Sequence, residues 1–340
     1  MPRFRTGKIP TEILVRNVFR YTGKKDPSVI LGSSIGEDAA LVSVGKQILV
    51  LTTDPVTGTL SEIGSLAVDL NANDIACRGA KPRWFLCTLL LPENSDAAVL
   101  DTIMRQVDSA AKQIGVAVVG GHTEVTPGLN RPIVIGYMMG VAEKGRYVTS
   151  SGARAGDHII MTRSAGIEGT SILAADFASK LRGKMSPELL RRARKLRRLT
   201  SVVDDALTAV RVGGVHAMHD PTEGGLLQGV WEVAEASRVG FMIYESKISM
   251  LPETKKICAA LRVDPLRLLS SGCLLIVADQ QKSAKILRRL ITHGIHASII
   301  GTITRIKTSR NLVKADGTIK RVGPSERDEI YRIIERYQKQ

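Results

Sequence analysis

The sequence predicts a mixed α/β (α+β) fold in two domains. Three observations carry this. The 340 residues suffice for two domains with substantial cores. In both halves, apolar runs of strand length alternate with helix-length segments, the pattern of sheets covered by helices. Finally, YVTSSGARAGD at 147–157 is rich in small residues and turn formers and marks a boundary. We therefore place an N-terminal domain at 1–148, a second domain at 149–308 and a basic C-terminal extension at 309–340.

Residues 11–22 read as a helix, with Ile13, Leu14, Val18 and Phe19 at helical spacing. ALVSV and ILVLTT flank GKQ and read as a hairpin. A helix follows at 62–78, with Ser61 as its N-cap, Gly79 closing it and Pro82 beyond. WFLCTLLLP is a strand, 95–114 a helix ending at Gly115, and VAVVGG and PIVIGYMMGVA are further strands. That makes two strand–helix–strand units. The second half opens with the strand HIIMT and the glycine-bearing loop RSAGIEGT. Next come the turn-rich HDPTEGG at 219–225, a helix at 226–237, the strand CLLIVAD, a helix at 282–293 and the strand HASIIGTI.

Bulk properties narrow the function classes. No apolar run reaches the about 18 residues of a membrane span, and MPRFRTGKIP lacks the apolar stretch of a signal peptide. Cys77, Cys87, Cys258 and Cys273 form no CxxC pair and no zinc spacing. They read as reduced, buried thiols of a cytoplasmic protein. The formal net charge is +15, much of it in LRGKMSPELLRRARKLRRL at 181–199 and in the tail from Arg305. Such blocks can meet phosphate backbones. Interleaved aromatics and nucleic-acid motifs are missing, however, so a nucleic-acid partner is not expected. A solvated helix face, or one turned to an anionic substrate, is the plainer reading.

Four motifs in the first 125 residues carry chemistry: GEDAA at 36–40, TTDP at 52–55, NAND at 71–74 and GGHTEV at 120–125. Asp38, Asp54 and Asp74 each sit at the end of an apolar element. Carboxylates are hard oxygen ligands, and Mg²⁺ in phosphate chemistry is held by one or two of them plus phosphate oxygens. Paired glycines, here Gly120 and Gly121, let a backbone approach a phosphate. The set reads as a nucleotide–magnesium site gathered from several loops.

Each motif also has a plain structural reading. GEDAA is an acidic turn, with Glu37 assisting or solvent-facing. TTDP is an Asx turn before Pro55. Asp74 lies near the C-terminal end of its helix, where a carboxylate opposes the macrodipole, so a cation or polar partner is expected. Asn71 shares its face. His122 and Glu124 can touch metal or phosphate, though a lone His is more often structural. In SAGIEGT, backbone N–H groups around Gly166 and Gly169 at a helix start form a ready phosphate site, although no Walker motif is present. HDPTEGGL can close on a ligand through Asp220, Thr222 and its glycines, or enter a helix capped by Thr222.

Across roughly residues 8–305 these motifs, in this order, resemble the AIR synthase-related (PurM-like) superfamily. That superfamily includes aminoimidazole ribonucleotide synthetase, selenophosphate synthetase, thiamine-monophosphate kinase and the hydrogenase-maturation factor HypE. GEDAA resembles its GDDAA-type loop, TTDP its S/T-T-D strand end, and NANDIACRGAKP its N/S-D-I/L-A-x-x-G-A-x-P helix end. HDPTEGGL resembles the HypE-like DPTRGG; TGKIPTEIL and LLSSGCLLIVA lean the same way.

The resemblance implies a homodimer whose N-terminal domains build a shared β-barrel, with a C-terminal α/β sandwich domain. It also implies ATP and Mg²⁺ as cofactors, and phosphate transfer to, or activation of, an amide- or carboxyl-type oxygen. Asp38, Asp54 and Asp74 would be Mg²⁺–phosphate ligands, Asn71 a polar contact, and Gly120 and Gly121 a phosphate-side loop. The alternatives are an ATP-binding maturation factor without turnover and a thiamine-monophosphate-kinase-like small-molecule kinase. Two departures stand out. His122 replaces the acid of the family's GGDT or GGET, where Glu124 can substitute as a metal ligand. HypE members end in a cysteine, whereas this sequence ends ERYQKQ, so no reaction on a thiol of its own tail is expected.

Overall fold

The computed structural model describes residues 4, 6–57, 62–325 and 327–338. Ser61, expected as an N-cap, lies outside them. The fold is mixed α/β in two compact units. One holds residues 26–32 and 38–147; the other holds the segment through Lys25, residues 33–37 and residues 148–340. The first helix, α1 (Thr11–Asn17), belongs to the larger unit and is shorter than its apolar pattern predicts.

The smaller unit is one six-stranded sheet. Its strands are β1 (Val29–Leu31), β2 (Ala40–Val44), β3 (Gln47–Val56), β4 (Lys81–Leu91), β5 (Ala117–Val125) and β6 (Ile133–Glu143). They lie in the order β1-β2-β3-β6-β4-β5. The β2–β3 hairpin turns at Gly45–Lys46, with Val44 opposite Gln47. Strand β4 runs parallel to β5 through helix α3 (Ala97–Ile114). Asp96 caps α3 by accepting from the Val99 N–H at 2.9 Å, and Gly115 ends it.

Alternation decides which face is covered. Ile48, Val50, Phe85, Leu89, Val134 and Met138 are fully buried, each worth about 1.5–3 kcal/mol. Helix α2 (Ile63–Cys77) packs against β3, β4 and β6 and is itself buried along most of its length. Leu49, Leu51, Leu86, Ile135, Met139 and Val141 alternate with the buried set and are only half-buried. In a single chain the sheet is open, with β1 and β5 as its edges. No barrel closes within one copy.

The larger unit has a seven-stranded sheet. Its strands are β7 (His158–Thr162), β8 (Val215–His219), β9 (Gly240–Tyr244), β10 (Leu275–Ala278), β11 (Ala297–Thr304), β12 (Arg310–Val313) and β13 (Ile319–Arg321). Their order is β13-β12-β9-β11-β7-β10-β8. Its helices are α4 (Ile167–Asp176), α5 (Ala178–Leu181), α6 (Pro187–Lys195), α7 (Val203–Val212), α8 (Gly225–Ala236), α9 (Pro252–Leu261), α10 (Gln280–Thr292) and α11 (Glu329–Gln338). One core gathers Ile159, Met161, Leu227, Val230, Phe241, Ile243, Leu275 and Val277. A second joins Leu173, Leu189, Ile257, Leu261, Ile330 and Ile333.

The segment 309–340 is therefore more than a basic extension. Strand β12 pairs in parallel with β9, Leu312 lies in the first core, and α11 supplies Ile330 and Ile333 to the second. Its lysines and arginines masked an alternating strand and an amphipathic helix.

Candidate functional site

The site motifs of the smaller unit meet where β3 faces α2. Asn71, Asn73 and Asp74 are all buried on α2. A polar group taken from water costs free energy unless it is hydrogen-bonded, so their contacts decide what they can do. The Thr52 hydroxyl lies 2.7 Å from Asp74 Oδ2 and 2.8 Å from the Asp38 carbonyl oxygen. Its single hydrogen serves one acceptor at a time. Thr52 thus ties the GEDAA and NAND motifs to one atom.

Asn71 has a different task from the nearby contact expected of it. Its Oδ1 accepts the Asp54 N–H at 3.0 Å, and its Nδ2 donates to the carbonyls of Ala67 (2.8 Å) and Asp54 (3.3 Å). Both ends of the amide clamp the Asp54 peptide. Gly136 makes room for the clamp: a β-carbon there would lie 2.3 Å from Asn71 Nδ2. Strand β3 runs two residues past Asp54, with Pro55 opposite Ile135, so Asp54 precedes the strand end. Asp38 and Asp54 are half-buried and Asp74 is buried. Carboxylates are the oxygen donors that Mg²⁺ takes, and all three belong to this unit. Glu37, by contrast, accepts the Ser150 N–H at 3.0 and 3.1 Å through its two oxygens and acts as an anchor.

GGHTEV is a strand and not a loop. Gly120 and Gly121 lie within β5, and Gly121 is needed for close pairing, since a β-carbon there would meet the Cys87 carbonyl oxygen. The register runs Asp54–Gly136–Cys87–Gly121 across the sheet. His122 and Glu124 stand opposite Thr88 and Leu90, on the face away from α2. They are therefore three strands from Asp54, roughly 14 Å at ordinary spacing, and on the other side of the sheet. Within one copy they do not join the three aspartates. His122 Nε2 lies 3.0 Å from Glu124 Oε2, and Thr126 donates to Oε1 at 2.9 Å. These bonds hold the exposed Glu124 carboxyl below its usual range.

In the larger unit, SAGIEGT departs from a free phosphate cradle. The Gly166 N–H donates to Ser270 Oγ (2.9 Å) and the Gly169 N–H to the Leu269 carbonyl (3.0 Å). Two of the expected anion donors are thus already engaged. Gly169 is required by packing, as its β-carbon would lie 2.4 Å from Leu268. Helix α8 is entered through Gly224 (φ 81°) and Gly225 (φ 66°), a left-handed pair that only glycine adopts readily. Gly224 takes the cap position expected of Thr222. Asp220 is buried beside this turn.

Around the turn lies a set of acids that spacing does not reveal. Glu168, buried at the start of α4, accepts from Ser271 Oγ at 2.5 Å. Burial pushes its carboxyl up to about 7, with the charges of Glu223 and Asp220 adding to the rise. Asp328 accepts the N–H groups of Gly224 and Ile330, each at 2.7 Å, and burial drives it up to about 8. Glu223 accepts from Tyr331 Oη (2.7 Å) and the Lys8 N–H (2.8 Å). Glu232 bridges His219 Nε2 (2.9 Å) and Gln228 Nε2 (3.0 Å). The available sign was Glu168 itself, the one charge in SAGIEGTSILAA.

All four cysteines are buried. Burial pushes the thiols of Cys87 and Cys258 up to about 11 and about 12, so they stay protonated at neutral pH. Among the described residues no helix is long and apolar enough to cross a membrane. In the basic stretch, Arg192 pairs with Glu253 at 2.8 Å and Arg194 donates to the Ala174 carbonyl.

Comparison with known proteins gives matches over most of the chain. Residues 36–142 match the family described as AIR synthase related protein, N-terminal domain, and residues 154–310 match its C-terminal domain. Carbamoyl dehydratase HypE of Rhizobium leguminosarum bv. viciae is 30% identical over 286 residues, covering 79% of this chain and 77% of its own. The crystal structure of Escherichia coli HypE, a hydrogenase maturation protein, superposes with TM-score 0.74 at 25% identity, covering 84% and 88%. A HypE structure in complex with ATP has the same fold, with TM-score 0.74 at 23% identity over 96% and 98%.

Proposed function

The chain belongs to the AIR synthase related family, and from that premise we propose a HypE-like enzyme that uses ATP and Mg²⁺ to activate an amide- or carboxyl-type oxygen. The observation that carries the reading is the meeting of the Asp38 backbone carbonyl and the Asp74 carboxylate at the Thr52 hydroxyl, beside an Asp54 peptide clamped by Asn71. Asp38, Asp54 and Asp74 hold the cation. When bound, Mg²⁺ supplies charge neutralisation at the phosphates. The protein supplies placement: Thr52 and Asn71 fix two of the three carboxylate-bearing segments before any ligand arrives, and preorganised charge is what phosphoryl transfer asks of a protein.

Transfer of the γ-phosphoryl group to the substrate oxygen converts a poor leaving group into phosphate. Its departure leaves a dehydrated product, or one substituted by a nucleophile. The name of the Rhizobium relative, carbamoyl dehydratase, and the ATP in the related HypE structure support this chemistry. The substrate is taken to be a separate small molecule or partner protein.

The working form is a homodimer. Strand β5 is exposed along its whole length at the sheet edge, and the adjoining face carries half-buried apolar side chains. An unpaired edge of this kind invites a second chain. A monomer by sedimentation at micromolar concentration contradicts this part.

Phosphate release tests the activity. We expect release from Mg²⁺ and ATP to rise with a carbamoyl- or carboxamide-bearing compound from a metabolite panel. ATP binding without release across the whole panel points instead to a maturation factor without turnover.

A further inference from the structure

The larger unit carries a second charged feature, unconnected with the residues above. Helix α10 buries Ser283, Ile286 and Leu290 along one stripe. Lys285, Arg288, Arg289 and Thr292 form another, at spacings of three and four. With Arg211 and Val212 from the end of α7, that stripe lines a groove of about 500 Å³.

Four cations therefore converge, and among the described residues none of them has an acidic partner. On other helices some exposed cations pair with acids three or four residues away, as in Arg105–Asp101, Lys112–Asp108 and Arg332–Glu329. Like charges at such spacing destabilise a helix by about 0.2–0.5 kcal/mol a pair, a cost that α10 bears repeatedly. Helix dipoles explain only part of the arrangement. Arg211 and Arg289 sit in last turns, where a cation is favoured, but Lys285 and Arg288 lie before the last turn.

We propose that this groove binds a short oligophosphate or a multiply phosphorylated small molecule. Guanidinium forks match phosphate oxygens in pairs, and the volume suits a small ligand. The lining offers no aromatic ring on which a base can stack, so a nucleic acid is the weaker fit.

Inorganic tripolyphosphate is the probe, and acetylation of Lys285 in the full chain, read by mass spectrometry, is the site-resolved signal. Lys112, on the other unit and paired with Asp108, is the internal reference. Tripolyphosphate slows acetylation of Lys285 and not of Lys112, and orthophosphate or citrate at matched ionic strength does not. The Arg288→Glu, Arg289→Glu double variant, altered only at exposed positions, raises the half-effect concentration by about tenfold or more. Unchanged Lys285 reactivity overturns the proposal, as does equal protection by citrate. Protection by single-stranded RNA at much lower concentration than by tripolyphosphate overturns it in favour of a nucleic-acid surface.

Discussion

The two units handle carboxylates in opposite ways. In the smaller one, Asp38 and Asp54 stay half-exposed while Asp74 is buried, and neutral groups, the Thr52 hydroxyl and the Asn71 amide, hold the segments in place. In the larger one, Glu168 and Asp328 are enclosed, and their carboxyls are raised to about 7 and about 8. Burial raises a carboxyl's pKa where water is shut out, whereas a carboxyl on a fixed but open segment keeps its solvent contact. Residue type alone does not separate a ligand from a buried acid; the surrounding packing does.

The sharpest way to break the smaller unit's arrangement is to remove its clamp. Asn71→Ala strips three hydrogen bonds from a buried position and leaves the Asp54 peptide unserved, so we expect a loss of about 2–4 kcal/mol in urea unfolding. Gly136→Ala acts on the same contact from the other side and should give a similar loss. If both variants keep wild-type stability, Asn71 holds nothing.

The larger unit is tested by pH. Glu168 has a folded value of about 7 against an ordinary 4.5, so between those values the folded state binds more protons than the unfolded one. Stability from this group is therefore greatest below pH 4.5 and falls as pH rises to about 7. Glu168→Gln keeps an acceptor for Ser271 and removes the titration. It should gain on the order of 1–3 kcal/mol over wild type at pH 8 and almost nothing at pH 4. An equal effect at both pH values would falsify the protonated assignment.

The smallest effect belongs to the exposed His122–Glu124 pair. His122→Ala should change stability by less than about 0.5 kcal/mol. It should also leave Mg²⁺ and ATP affinity of a dissociated single copy unaltered, because His122 lies on the opposite face from Asp54. A large loss of affinity there would place it among the phosphate contacts.

Much of this was legible in the residues. The apolar runs with their flanking glycines gave β2 to β7, α2, α3, α8, β10, α10 and β11, but not β8, β9, β12, β13 or α11, and the order of GEDAA, TTDP and NAND pointed to three aspartates that belong to one unit. VAVVGG was legible as a strand, whereas the phosphate-side loop that the resemblance implied for Gly120 and Gly121 meets a Gly121 demanded by strand pairing against Cys87. SAGIEGT misled because its N–H groups are satisfied by Ser270 and Leu269, partners a hundred residues away in sequence. Glu168 and Asp328 went unseen for the same reason: long-range burial creates their character, and no local spacing encodes it.

Titration of Mg²⁺ and ATP into wild type, Asp38→Asn and Asp74→Asn tests the central claim most directly, with calorimetry for affinity and thermal unfolding of the free proteins as the control. Both variants should keep the free protein's melting temperature within a few degrees and lose about tenfold or more in affinity for the Mg²⁺–ATP pair. Wild-type affinity in both folded variants would contradict the claim that these aspartates hold the metal.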